Sequence, residues 1–196
     1  MSKIILKSID SSMTYTKYRF LIKELLDRKE STAKNGSLSL YNYSLLNDKR
    51  MDRLDKKALL SNGILLTLKQ LKQKQTWLVI TEGWCGDAAQ NLPYINKIAE
   101  YTDKIDLRIV LRDQHLDLMD QFLTDGNQAI PKLIALDENN NTLFTWGPRP
   151  SKATKMVHAF KKEHGKLTDE FKKDLQVWYN KNKGENLYQD FIELLA

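Results

Sequence analysis

The stretch from Trp77 to Gln90, Trp-Leu-Val-Ile-Thr-Glu-Gly-Trp-Cys-Gly-Asp-Ala-Ala-Gln, constrains the fold of this chain more than any other. Its first half is a short apolar run, β-branched at Val79, Ile80 and Thr81, too short for a helix and unbroken by polar residues. That pattern suits a strand buried on both faces. Glu82 to Gly86 interrupt the run, and from Asp87 onward Ala88, Ala89, Leu92, Ile95, Ile98 and Ala99 recur at helical spacing. A strand therefore feeds a helix, with Cys85 at the junction. A sulfur at that point faces unpaired backbone N–H groups and the positive end of the helix dipole, which together favour a thiolate.

The elements that follow can be read in the same way. Ile105 to Leu111 alternates apolar and polar residues and reads as the next parallel strand. A helix between two parallel strands implies a right-handed βαβ unit, which brings Arg112 and Asp113 to the sheet edge that holds Cys85. Leu116, Met119, Phe122 and Leu123 predict a helix ended by Asp125-Gly126. The turn cluster Asp137 to Asn141 joins Leu133–Leu136 to Thr142–Trp146 as an antiparallel hairpin. Pro148 and Pro150 end that hairpin, and a helix containing Met156, Val157 and Phe160 starts at Pro150 or Ser151.

Trp84-Cys85-Gly86-Asp87-Ala88, at the end of a buried strand and the start of a helix, resembles the Trp-Cys-Gly-Pro-Cys active site of thioredoxins. Ala129-Ile130-Pro131-Lys132-Leu133 is similar to the segment in which that family carries its cis-proline, and Leu143 to Gly147 stands where its last strand ends in a glycine. The Trp-Cys-Gly-Asp core with Trp146-Gly147-Pro148-Arg149-Pro150 resembles one bacterial branch of the family. The resemblance spans about residues 60 to 165. It implies an α/β, thioredoxin-like three-layer fold with a central mixed β-sheet, here with a helical N-terminal extension and extra C-terminal helices. It also implies that Ile130 offers backbone groups to an extended substrate, in the manner of an added strand. Trp84, Gly86, Asp87, Ile130 and Pro131 would then line the substrate groove around the catalytic Cys85. Arg149, held between two prolines, or Arg112 would bring a cation to the thiol or to an anionic ligand.

The departures from the family narrow the chemistry. Position 88 is alanine, so the second cysteine of Cys-x-x-Cys is missing, and Cys85 is the only cysteine in the chain. No disulfide can form within one molecule. The aspartate that thioredoxins bury six residues before the first cysteine is replaced here by Val79. Asp87 sets a second conflict, because a carboxylate two residues beyond the sulfur suits the helix dipole but repels a thiolate.

A chain of 196 residues, 41% apolar and 29% charged, suits one well-packed domain with an elaboration. The resemblance implies a thioredoxin-like domain over 64–165, and the helical periodicities on either side read as a helical extension over residues 1–63 and a C-terminal helical extension over 166–196. In the first part, Tyr18, Leu21, Ile22, Leu25 and Leu26 form a stripe behind a cap at Ser12 or Thr14. A second stripe runs from Leu38 through Tyr41, Leu45, Leu46, Met51 and Leu54 to Leu59, with Asn62-Gly63 as its stop. Ile64, Leu65, Leu68 and Leu71 predict a further short helix. In the last part, Phe171, Leu175 and Trp178 share a helix face, and Leu187, Tyr188, Phe191, Ile192 and Leu195 form a terminal amphipathic helix.

The net charge of +6 is spread among 25 acidic residues, and no groove-reading motif is visible, so no nucleic-acid partner is expected. No apolar stretch approaches the roughly 20 residues that cross a bilayer. Ile4-Ile5-Leu6 is too short for a signal-peptide core, and one unpaired cysteine fits a reducing compartment, so the cytoplasm is the expected location. His115, His158 and His164 lack zinc-ligand spacing with Cys85, and neither a metal nor a cofactor is expected. Two functions remain open. In one, Cys85 is a monothiol redox centre that exchanges with a protein or low-molecular-weight thiol or disulfide through a mixed disulfide, or senses oxidants through its thiol. In the other, the chain is a non-catalytic module that holds an extended peptide or partner protein in the Trp84/Pro131 groove, with Cys85 as a small buried residue.

Overall fold

The computed structural model describes residues 2–34 and 36–196, with only the backbone of Ser2. Helices α1 (Ser2–Asp10), α2 (Tyr15–Asp27), α3 (Leu38–Lys57) and α4 (Asn62–Gln70) precede the first strand, β1 (Gln75–Thr81). Helix α5 (Gly86–Tyr101) crosses to β2 (Ile105–Leu111), and a short helical turn over Arg112–Gln114 leads into α6 (Leu116–Met119). The hairpin β3 (Lys132–Leu136) and β4 (Thr142–Trp146) is followed by α7 (Ser151–His164), α8 (Asp169–Asn182) and α9 (Glu185–Leu195).

The sheet order is β2-β1-β3-β4, with β1 parallel to β2 and antiparallel to β3, and β3 antiparallel to β4. It is the mixed sheet expected from the βαβ unit and hairpin. Central position explains the apolar run in β1, since Trp77, Leu78, Val79 and Ile80 are all fully buried. The outer edge of β2 is partly covered by the N-terminal segment. Met13 and Ile109 exchange backbone hydrogen bonds of 2.9 and 2.8 Å, which blunts an edge that would otherwise be open to a further strand. At the other end of the chain, Phe191 of α9 stacks on Trp77 at 4.9 Å and lies 5.4 Å from Trp146, so the last helix completes the main core.

Two local expectations need correction. Helix α3 ends at Lys57, and Asn62-Gly63 opens α4 instead of stopping α3. Gly63 packs closely there, since a side-chain carbon would stand 3.0 Å from the Ile192 side chain of α9. The helix expected over Leu116–Leu123 closes after one turn at Met119. The N–H groups of Gln121 and Phe122 bond to Leu118 and Met119, a tighter i to i−3 pattern that ends an α-helix. The buried face of α8 adds Tyr179 to Phe171 and Leu175, and the partly buried Trp178 packs against it as expected. Phe171, Leu175 and Tyr179 form, with Ala153 and Val157 of α7, a small apolar cluster separate from the main core. Helix α1 was not anticipated. Its Ile5 is almost wholly buried, whereas Leu6 is exposed.

Among the described residues, no helix is long and apolar enough to cross a membrane.

Candidate functional site

Strand β1 ends at Thr81, and the turn Glu82 to Trp84 carries the chain to Cys85, the N-cap of α5. The turn is anchored by Glu82, a fully buried carboxylate that accepts hydrogen bonds from the Thr32 hydroxyl and, at 3.0 Å, from the Asp113 N–H. Burial raises the pKa of Glu82, and these two donors act against that rise. Thr32 also accepts from the Gly83 N–H at 3.0 Å, and the Asn47 amide of α3 donates to the Gly83 carbonyl at 3.0 Å. The N-terminal helices are thus tied directly to the cysteine turn.

The Cys85 sulfur fills the place of a capping oxygen, accepting from the Ala88 N–H at 3.4 Å. Its S–H donates to the Ile130 carbonyl at 3.3 Å, and the Ile130–Pro131 bond is cis. The thiol is pushed up to about 12, first by burial and next by the Asp87 charge; the N–H groups of Ala88 and Asp87 and the Arg149 guanidinium pull the other way and are outweighed. The contest between helix N-terminus and carboxylate is therefore decided against the thiolate.

Asp87 is itself buried. One carboxylate oxygen pairs with Arg149 at 2.6 Å and the other accepts from the Tyr179 hydroxyl at 2.8 Å. Asn91 donates to the same tyrosine oxygen at 3.3 Å. Burial raises the Asp87 pKa, with Arg149 and Tyr179 opposing it. Arg149 thus reaches the carboxylate beside the cysteine. Arg112 is placed differently. Its guanidinium lies 4.9 Å from the centre of the Trp84 ring and pairs with Asp113 at 2.8 Å, so it clamps the tryptophan.

Trp84, Cys85, Gly86 and Asp87 line a cleft of about 710 Å³ walled by α3 and α8. Leu40, Tyr43 and Leu46 come from α3, Leu167 and Leu175 from the α8 side, and Arg149 joins the lining. Ile130 and Pro131 do not line it. Both are buried, and the Ile130 carbonyl expected to meet a substrate is engaged by the Cys85 thiol. Among the described residues, no group of three or more His, Cys, Asp or Glu side chains is arranged to hold a metal ion.

Sequence reasoning missed Tyr179, Glu82, Asn47, Arg50 and Gln176. Only Glu82 carried a signal, as a carboxylate closing an otherwise apolar strand. The others lie on helices whose orientation relative to Cys85 has no local signature.

A family model described as thioredoxin matches residues 35–164. Among solved structures, an HIV epitope-scaffold aligns with a TM-score of 0.60 at 19% identity, covering 93% of this chain and 98% of its own. A protein of unknown function from Pseudomonas aeruginosa aligns with a TM-score of 0.56 at 20% identity, covering 93% of this chain and 97% of its own. Both likenesses concern the fold alone. No curated protein matches the chain.

Proposed function

Because this chain belongs to the thioredoxin family, we propose that it keeps the family's site as a binding site: a ligand enters the cleft between α3 and α8 and rests against Cys85, which serves as a buried thiol. The observation that carries this reading is the state of the sulfur. The thiol is buried and donates to the Ile130 carbonyl, and burial pushes its pKa up, which disfavours the thiolate that is the nucleophile. The missing second sulfur at Ala88 and the valine at position 79 support the same reading. The lone cysteine fits a reducing compartment, and on that ground the reading includes the cytoplasm.

A second reading rests on Cys85 being part of the cleft lining. After losing its proton to solvent, Cys85 would form a bond to one sulfur of a protein or small-molecule disulfide while the other sulfur leaves as a thiolate. An external thiolate would then attack the mixed disulfide, release the bound group and return Cys85 to its reduced form.

The rate of iodoacetamide alkylation from about pH 4 to 10, with Cys85→Ser as control, separates the two. The binding reading expects slow alkylation at neutral pH and a rate still rising at the alkaline end. A midpoint well below the ordinary value of about 8.5 would overturn it in favour of exchange.

A further inference from the structure

The cleft over Cys85 has walls and a rim of different chemistry. Its walls are apolar, and Tyr43 and Leu46 remain about half exposed, at 46% each. Its charged lining comprises Arg50, Arg149, Lys172 and Lys173 against Asp87 and Asp169. Asp87 is taken by Arg149 and Asp169 by Lys172, at 2.6 and 2.8 Å. Arg50 and Lys173 are left without a carboxylate partner among the described residues.

Arg50 is the better placed of the two. The fully buried Asn47 accepts its guanidinium N–H at 2.9 Å while donating to the Gly83 carbonyl, so the arginine is aimed by a bridge from the cysteine turn. Arg50 is partly buried, and burial together with the like charge of Arg53 lowers its pKa. Gln176 approaches from the opposite wall. Its carbonyl oxygen accepts from Gln90 at 3.0 Å, which leaves its amide N–H groups for the cleft. Arg50 Nη1 and Gln176 Nε2 both lie 3.6 Å from the point where a side-chain carbon on Gly86 would stand. Two donors from opposite walls therefore lie within about 7 Å of one another beside Gly86, a span that the oxygens of one carboxylate or phosphate can bridge.

On the reading that the cleft is a binding site, we propose that its ligand is a small anionic amphiphile: a carboxylate or phosphate head held by Arg50 and Gln176 above Gly86, with an apolar body between α3 and α8. The volume of about 710 Å³ lies within the range of small-molecule sites. An extended peptide is disfavoured, because the backbone it would pair with at Ile130 is buried and engaged. The two unpartnered cations select a negative head over a neutral or positive one, and a bidentate guanidinium contact would hold either type of oxyanion.

The test is fluorescence titration of the whole protein with dansylaminoundecanoate and with its primary amide, which has the same body and no charge. One-to-one binding of the acid is expected, with the amide about tenfold weaker or less tightly bound still. Arg50→Gln should erase that preference. Gly86→Ala should do so as well, since its methyl group makes only ordinary contacts yet stands between the two donors, and circular dichroism would check that both variants fold. Equal binding of acid and amide, or an acid affinity unmoved by Arg50→Gln, would overturn the anionic assignment while leaving a binding cleft. Failure of both probes to bind would overturn the amphiphile, and the alkylation profile would then decide separately whether the binding reading stands.

Discussion

Asp87 and Cys85 are two residues apart and both buried, and the Asp87 charge raises the cost of ionising the thiol. Replacing Asp87 with Asn removes the negative field and leaves the Arg149 cation beside the sulfur. The alkylation midpoint of Cys85 should fall by about one pH unit or more, and neutral-pH reactivity should rise accordingly. An unchanged midpoint would mean that burial alone holds the proton. The same sulfur also makes a prediction about stability. Its folded pKa, about 12, lies above the ordinary value of about 8.5, so the unfolded thiol ionises first as pH rises. The contribution is fully present below about 8.5 and is lost on approaching about 12. Buried tyrosines such as Tyr18 and Tyr188 are shifted in the same direction, so wild type and Cys85→Ala should both lose stability in alkali. The wild type should show the steeper fall in urea midpoint; equal slopes would contradict the pKa assigned to Cys85.

The elements around the site meet at close quarters, and glycine marks where. Gly147 ends β4 with φ of +116°, and a side-chain carbon there would collide with the Pro131 carbonyl oxygen and stand 3.4 Å from Lys132 Cα. Gly147→Ala should therefore destabilise the protein by about 3 kcal/mol or more, measured by urea unfolding. A loss below about 1 kcal/mol would show that the hairpin and the proline loop can separate cheaply. The hairpin itself was readable from its turn cluster, and β2 from its alternation. The end of α3 was not readable. Asn62-Gly63 is as good a stop as a start, and in the fold it opens α4, where Gly63 packs against Ile192 of α9.

At the scale of the molecule, segments from both ends of the chain build the cleft. Helix α3 is fixed to α2 by Arg19, a buried guanidinium that pairs with Asp48, Asp52 and Asp55 at 2.8, 2.8 and 3.2 Å. Arg19→Ala leaves Asp48 and Asp55 without a paired cation, while Asp52 keeps Lys23 at 3.1 Å. It should cost about 2–4 kcal/mol, allowing for the partial exposure of the aspartates, and should speed Cys85 alkylation as the α3 wall loosens. Helix α8 is attached differently. Its apolar face packs with α7 in a separate cluster, while polar links from Gln176, Tyr179 and Asn180 reach Gln90, Asp87 and Arg53.

Sequence alone determined the strand, turn and helix that present Cys85, the hairpin beside it, and the absence of a partner sulfur. These are local matters, governed by side-chain period, turn chemistry and the count of one residue type. Only the tertiary structure decided that Arg149 serves Asp87, that Arg112 clamps Trp84, and that Tyr179 and Arg50 belong to the site at all. Periodicity tells which face of a helix is apolar but not what that face meets, so helices on either side of the family fold could be recognised without being placed. The proton on Cys85 is decided in the same way, because the burial that raises its pKa exists only once distant elements have closed around it.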